Sequence, residues 1–346
     1  MHNHTPDRVH LSVAQARELS ERALRGIGFD FDEARIVADH VLDAALCGYE
    51  YSGLAKILNI AESRKFRNPR RPVSVLRESA AAILYDGGNN VGMLAVYRAA
   101  QAAVARAQQH GFALVGMTNT WMSGRSAHYV ELIARAGLVG IHSVSAAHVV
   151  APHGGTRAAL GTNPIAFGFP TEHEPLVIDL GTSAFMGTDL QFRARLGELL
   201  PEGVAIDAQG RPTRDPALAH LGAILPFGGY KGFALALAMD ALGVLAGSGL
   251  DADKTAGYLF IAMKPDLLVP LDEFRRHLSE TIARIKATPL QAGFDEIRIP
   301  SERAFRERAR SLREGIVIDR KIHDALDELA RGGQPPAAGA VPRSFR

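Results

Sequence analysis

Tyr49, Glu50, Tyr51 and Ser52 stand in an unbroken row, with Lys56 four residues on. Phenols, a hydroxyl and an ammonium group in so short a stretch could trade protons with a substrate, and a carboxylate among them could hold a cationic nitrogen. Further along, IDLGTS at 178–183 sets the carboxylate of Asp179 and the hydroxyls of Thr182 and Ser183 at an expected strand end, where they could hold ribose hydroxyls or a phosphate. PFGGYKG at 226–232 puts Lys231 in a glycine-bounded turn just before an apolar helix, which aims an ammonium and free N–H donors at an anion. DGGNNVG at 86–92 is a third glycine-rich turn, but it lacks the GxGxxG spacing and reads equally as a plain tight turn.

These segments need a scaffold, and the hydrophobic periodicity supplies one. Val13, Ala16, Leu19 and Ala23, then Ala34, Val37 and Val41, recur at helical spacing, with Ser12 and Gln15 fitting a capping box. From residue 82 onward, strand-like runs at 82–86, 112–117, 140–144, 165–169, 176–180 and 258–263 alternate with helical stretches at 91–109, 127–136, 233–245 and 271–287. Such alternation argues for an α/β layered domain. Two charged helices, at 301–314 and 319–331, are expected to fold back on the N-terminal ones.

Composition narrows the class. The chain has 346 residues, of which 47% are hydrophobic and 22% charged, with a formal net charge of +2. That balance gives no electrostatic footprint for a nucleic-acid partner and suits a small anionic ligand. Cys47 is the single cysteine, so no intrachain disulfide can form and a cytoplasmic setting is expected. The first ten residues lack the apolar core of a signal peptide. The longest apolar stretch, 233–250, is broken by Asp240 and three glycines and reads as a buried helix rather than a membrane span. No metal site is expected, since the HNH at His2–His4 fits a mobile tail better than a ligand set. The Gly-, Pro- and Ala-rich tail at 332–346 is expected to be disordered.

Read together, GTNP at 161–164, IDLGTS, FGGYKG at 227–232 and IPSER at 299–303, with APHGG from Ala151, resemble the type 2 malate/L-lactate dehydrogenase family. The resemblance runs from about Ser12 to Arg331. It implies an α/β fold in which a three-layer α/β/α mixed-sheet cofactor domain, unrelated to the Rossmann topology, is joined by a smaller helical domain. The expected boundaries are 1–80 with 290–331 for the helical part and 81–289 for the α/β part. It also implies a homodimer and NAD or NADP as cofactor. Cofactor contacts carry over to Gly161, Thr162, Asn163, Asp179, Thr182, Ser183, Lys231 and Glu302, with Ser301 standing where the family has glycine.

The resemblance breaks at the proton donor. A family segment close to RGHDSHG supplies an arginine, a serine and the histidine that protonates the carbonyl oxygen; here Cys47, Tyr51 and Ser52 align with them. In a second segment, NSNHFG, Met122 takes the histidine position. A protonated imine carries its own proton and needs no such donor. The expected substrate is therefore a small carboxylate-bearing 2-oxo or 2-imino compound, with the balance tilted toward the imine. For a carbonyl, Tyr51 or Tyr49 could donate, with Lys56 or Arg125 lowering the phenol's pKa, and His148 or His153 are further candidates. Lys56 and Arg125 are the candidate anion anchors, Arg125 being favoured for its bidentate fork. Glu50 reads as a partner for an iminium group or as a solvated charge, and Trp121 as a lid or as core. A nucleotide-binding protein or a non-redox enzyme on the same scaffold is the alternative.

Overall fold

The computed structural model describes residues 7–249 and 256–333. The expectation of a disordered tail and the HNH triplet fall outside those residues, apart from Gly332 and Gly333. Strand β1 (Arg8–Leu11) leads into α1 (Val13–Gly26), which begins with the expected capping box: Ser12 Oγ accepts from Gln15 N at 3.2 Å, and Gln15 Oε1 from Ser12 N at 2.8 Å. Helix α2 (Phe31–Leu46) is capped by Asp30. A 3-10 turn at Glu50–Ser52 then passes the chain to α3 (Lys56–Glu62) and α4 (Arg64–Arg67). One apolar core holds Leu24 of α1, Val41 of α2 and Ile57 of α3 together.

The middle of the chain builds a sheet. Its elements are β2 (Ser74–Glu78), β3 (Ala82–Asp86), α5 (Gly92–His110), β4 (Phe112–Thr118), α6 (Ser126–Arg135), β5 (Val139–Ser145), β6 (Ile165–Phe169) and β7 (Leu176–Leu180). Next come α7 (Gly187–Leu196), the short strands β8 (Ala205–Ile206) and β9 (Ala223–Ile224) flanking α8 (Pro216–Leu221), then α9 (Tyr230–Leu245) and β10 (Gly257–Met263). Seven strands pair in the order β2-β3-β4-β10-β5-β6-β7, with β3 and β4 parallel and every other neighbour antiparallel. The strand β2, at residues expected to belong with the helices, is the sheet's edge.

Alternation along the strands divides the two faces. Tyr258 and Phe260 of β10 pack with Ala99 and Ala103 of α5 and Tyr129 of α6. On the opposite face α9 lies so close to β5 that a Cβ on Gly243 would meet the Ser145 Cβ at 2.1 Å. Asp240, which interrupts this apolar helix, accepts from Ser145 Oγ at 2.6 Å. The result is a three-layer α/β/α arrangement around a mixed sheet.

Helix α9 departs from the buried helix expected at 233–245. Ala236, Met239 and Gly243 meet the sheet, while Leu235, Leu237, Val244 and Leu245 are exposed, because one stripe is all a single sheet face can cover. After α10 (Leu271–Lys286) and α11 (Glu302–Glu314), β11 (Ile316–Asp319) pairs antiparallel with β1, and α12 (Arg320–Ala330) packs on α1. This two-stranded ladder had no readable signal, since each strand is four residues long and gains its partner from the far end of the chain. No helix among the described residues is long and apolar enough to cross a membrane.

Candidate active site

A cleft of about 1700 Å³ opens where the 3-10 turn and α3 approach the ends of β6 and β7. One wall carries Tyr49, Tyr51, Ser52 and Lys56; the loop before α6 contributes Trp121 to Arg125; Thr162, Asp179 and Gly181 face them.

Arg125 is held by three groups. Its backbone N donates to His40 Nε2 at 2.8 Å, and its Nη1 donates to Asp43 Oδ2 at 2.7 Å and reaches Cys47 Sγ at 3.4 Å. Its guanidinium also lies over the Tyr49 ring, 5.3 Å from the centroid. Nη2 and Nε keep no partner among the described residues. Burial opposes charge on Asp43, but the His128 hydrogen bond and the cations Arg125 and Arg308 hold its carboxyl well below the usual range. Burial first, then the neighbouring His128 and Arg125, holds His40 neutral, as acceptance from the Arg125 amide requires. A purely structural cluster therefore fixes where a buried guanidinium enters the cleft.

Lys56 is only 4% exposed and keeps no hydrogen bond or ion pair with the described residues. Burial alone pushes its ammonium down to about 7. Tyr51 moves the other way: burial, then the carboxylate of Asp189, pushes the phenol up to about 12. The expected lowering of that phenol by a neighbouring cation is thus reversed: Arg125 does lower it, but burial and the nearby carboxylates outweigh that charge. Asp179 accepts from Ala127 N at 2.8 Å at the start of α6, and burial outweighs this bond and the Arg125 charge to raise its carboxyl.

The glycine-rich segments meet through their backbones. Thr182 N and Oγ1 both donate to Thr162 O, at 3.0 and 2.9 Å, and Phe227 N donates to Thr182 O at 3.1 Å. Asn163, fully buried, accepts from Ala146 N and donates to Ala236 O of α9. Gly161 has no room for a side chain, since a Cβ would stand 2.4 Å from Asn163 Oδ1. Ser183 donates to Phe185 O at 2.7 Å. Asn163 and Thr182 thus spend their polar side chains on joining the segments, Ser183 closes its own turn, and Thr162 and Asp179 present the joined edge to the cleft.

Other expected residues lie elsewhere. Glu50 turns away to pair with Arg8 at 2.8 Å and to accept from Asp319 N at 3.1 Å, tying the β1–β11 ladder to the 3-10 turn. Lys231 is exposed in the first turn of α9 and does not line the cleft. Glu302 pairs with Lys286 and accepts from Ile299 N at 3.1 Å, although its neighbour Ser301 does line the cleft. His148 and His153 are exposed and outside it. Trp121 is a fixed wall rather than a lid: it is buried, and its Nε1 donates to Asn89 O at 3.2 Å.

Sequence reasoning missed the α7 side. Gln191 accepts from Asn59 at 2.8 Å and Arg195 binds Glu62 and Asn59 of α3, so α7 is tied to α3 along the cleft that both line. The stretch GTDLQFRARL has almost no amphipathic pattern, which left this helix without a signal. Asp43 and His40 were also missed, both lying within the apolar face of α2.

This fold and cleft belong to an oxidoreductase, as comparison with known proteins shows. A family profile described as malate/L-lactate dehydrogenase matches residues 11–327. The malate/(S)-sulfolactate dehydrogenase of Methanothermus fervidus is 30% identical over 336 residues, covering 92% of this chain and 97% of that enzyme. The delta(1)-pyrroline-2-carboxylate reductase 2 of Burkholderia multivorans is 33% identical over 343 residues, covering 93% and 98%. Among solved structures, sulfolactate dehydrogenase from Methanocaldococcus jannaschii superposes with a TM-score of 0.82 at 30% identity, covering 93% of this chain and 97% of that one. The chain belongs to the malate/L-lactate dehydrogenase family, whose enzymes act on 2-hydroxy acids or imino acids.

Proposed function

We propose that the protein is a reductase that uses NADH or NADPH to deliver hydride to a small carboxylate-bearing 2-oxo or 2-imino compound. The observation that carries this reading is the single cleft in which a buried guanidinium and a buried amine face the Thr162–Asp179 edge. Nicotinamide supplies the hydride when bound. Thr162, Asp179 and the Gly181 backbone would hold it, and the wall suits a hydroxyl-rich ligand: Ser126 Oγ is buried there without a hydrogen-bond partner.

The protein's own groups would do the rest. Arg125, its Nη1 anchored on Asp43, offers Nη2 and Nε as a fork for the substrate carboxylate. Tyr51 stays protonated across the physiological range and can donate a hydrogen bond to the reacting oxygen. A protonated imine would find a carboxylate in Asp179. Ser52 and Met122 are read as occupying the positions of the family's proton-donating histidines.

The exposed leucines of α9 support a homodimer, a second copy covering Leu235, Leu237 and Leu245. A buried lone Cys47 suits a reducing cytoplasm. The test is oxidation of NADH and NADPH with 2-oxo acids, with and without methylamine, and with cyclic 2-imino acids. Turnover of at least one class is expected. Cofactor binding with no oxidation in any arm would overturn the reading.

A further inference from the structure

Position 52 carries a short serine where the resemblance calls for a proton-donating histidine, so a long side chain from the start of the next helix, beyond the non-helical Gly53, can serve the cleft that Ser52 also lines. Lys56, the first residue of α3, is that side chain. It lines the same cleft as Ser52 and Tyr51, is 4% exposed, and has no acid or acceptor bonded to it among the described residues. A buried amine without a partner is costly to keep in a fold. Nothing in the packing of α3 uses this one.

We propose that Lys56 is the proton donor for carbonyl reduction in this chain, the role having moved from position 52 to position 56. This rests on the reductase reading above. When the carbonyl carbon accepts hydride from the reduced nicotinamide, the π electron pair moves to oxygen and the oxygen takes a proton from Nζ. Lys56 is left as a neutral amine, which solvent reprotonates through the open cleft. The alcohol dehydrogenation direction is the reverse, with the neutral amine as base.

The surroundings favour this group over the other candidates. His40 of α2 feels the Lys56 charge, and Tyr51 from the 3-10 turn, Arg125 before α6, Asp179 at the end of β7 and Arg195 of α7 line the same cleft. Tyr51 is a far weaker acid, pushed up to about 12, whereas burial brings Lys56 to about 7, where an acid can both hold and release a proton near neutrality. Arg125 does not release protons. His40 has its Nε2 committed to the Arg125 amide.

Two measurements test the assignment. Trace acetylation of the full chain across about pH 5 to about pH 11, read by peptide mass spectrometry, titrates Lys56 without any turnover. A midpoint near 7 is expected; the ordinary lysine midpoint, near 10, would overturn the assignment. Next, Lys56→Arg keeps the positive charge but cannot donate the proton. Its kcat on a 2-oxo acid should fall roughly 100-fold or more with KM little changed, and wild-type kcat/KM should fall as pH rises through about 7. Wild-type kcat in Lys56→Arg, with or without a raised KM, would make Lys56 at most an anion anchor and overturn the proposal. Because acetylation needs no substrate, failure of the reductase reading and failure of the Lys56 assignment are told apart.

Discussion

Gly124 and His40 are in contact with no space between them: a Cβ on Gly124 would stand 2.2 Å from His40 Nε2. The same nitrogen accepts the Arg125 amide at 2.8 Å, so a glycine at 124, with φ +77, is what lets α2 fix the start of the guanidinium's reach into the cleft. Gly124→Ala must push the imidazole aside or strain the backbone. It should cost about 2–4 kcal/mol in urea unfolding and lower kcat/KM with it. An alanine variant with wild-type stability would show that this contact does not position Arg125.

Arg125→Lys tests the fork. A lysine could keep one bond to Asp43 but not offer two parallel donors to a carboxylate. KM for the acid substrate should rise roughly 10–100-fold, while cofactor affinity, read as energy transfer from the lone Trp121 in the cleft wall, should hold. Loss of cofactor binding with an unchanged KM would place the guanidinium against the nucleotide instead.

His142 makes stability depend on mild acid. It is fully buried, stacked on Phe260 at 4.0 Å, its Nδ1 lies 3.1 Å from Leu259 O, and burial brings its pKa to about 4. The unfolded chain therefore binds a proton near 6.5 that the native state refuses, so stability falls as pH drops from about 6.5 to about 4. The His142 share of that loss is about 3 kcal/mol by the usual conversion. Denaturant titrations at successive pH values should show the slope, and His142→Phe should make it shallower, leaving the share of the likewise buried His40. An equally steep slope in the variant would assign the effect to other groups.

Leu237→Asp on the exposed face of α9 should dissociate the proposed dimer, read by light scattering, because a charge in a newly dry interface costs several kcal/mol. A monomeric wild-type protein would leave those leucines unexplained by self-association.

The sequence made the fold legible wherever an element was long and periodic. The capping box at Ser12, the central strands and α5 fall where spacing placed them. It did not show β1 and β11, whose pairing spans nearly the whole chain, or α7, which has no apolar stripe. The cleft was half legible for a similar reason. Residue type marked Tyr51, Lys56, Arg125 and Asp179 as reactive, and they share one space. Type alone could not separate Glu50 from them, because direction within a single 3-10 turn sends Tyr49 and Tyr51 to the cleft and Glu50 to Arg8. Nor could it show that Asn163 and Thr182 are spent on joining segments, since those bonds are made to backbone atoms far along the chain.

The most direct measurement is the fate of the hydride. The protein is given NADH or NADPH carrying deuterium at C4 of the nicotinamide, with a 2-oxo acid or a cyclic 2-imino acid, and the product is read by mass spectrometry and NMR. A single deuterium at C2 of the hydroxy or amino acid is expected, delivered from one C4 face only. Product with protium at C2 from both the C4-R- and the C4-S-deuterated cofactors, or no product from either substrate class while the deuterated cofactor binds, would contradict it.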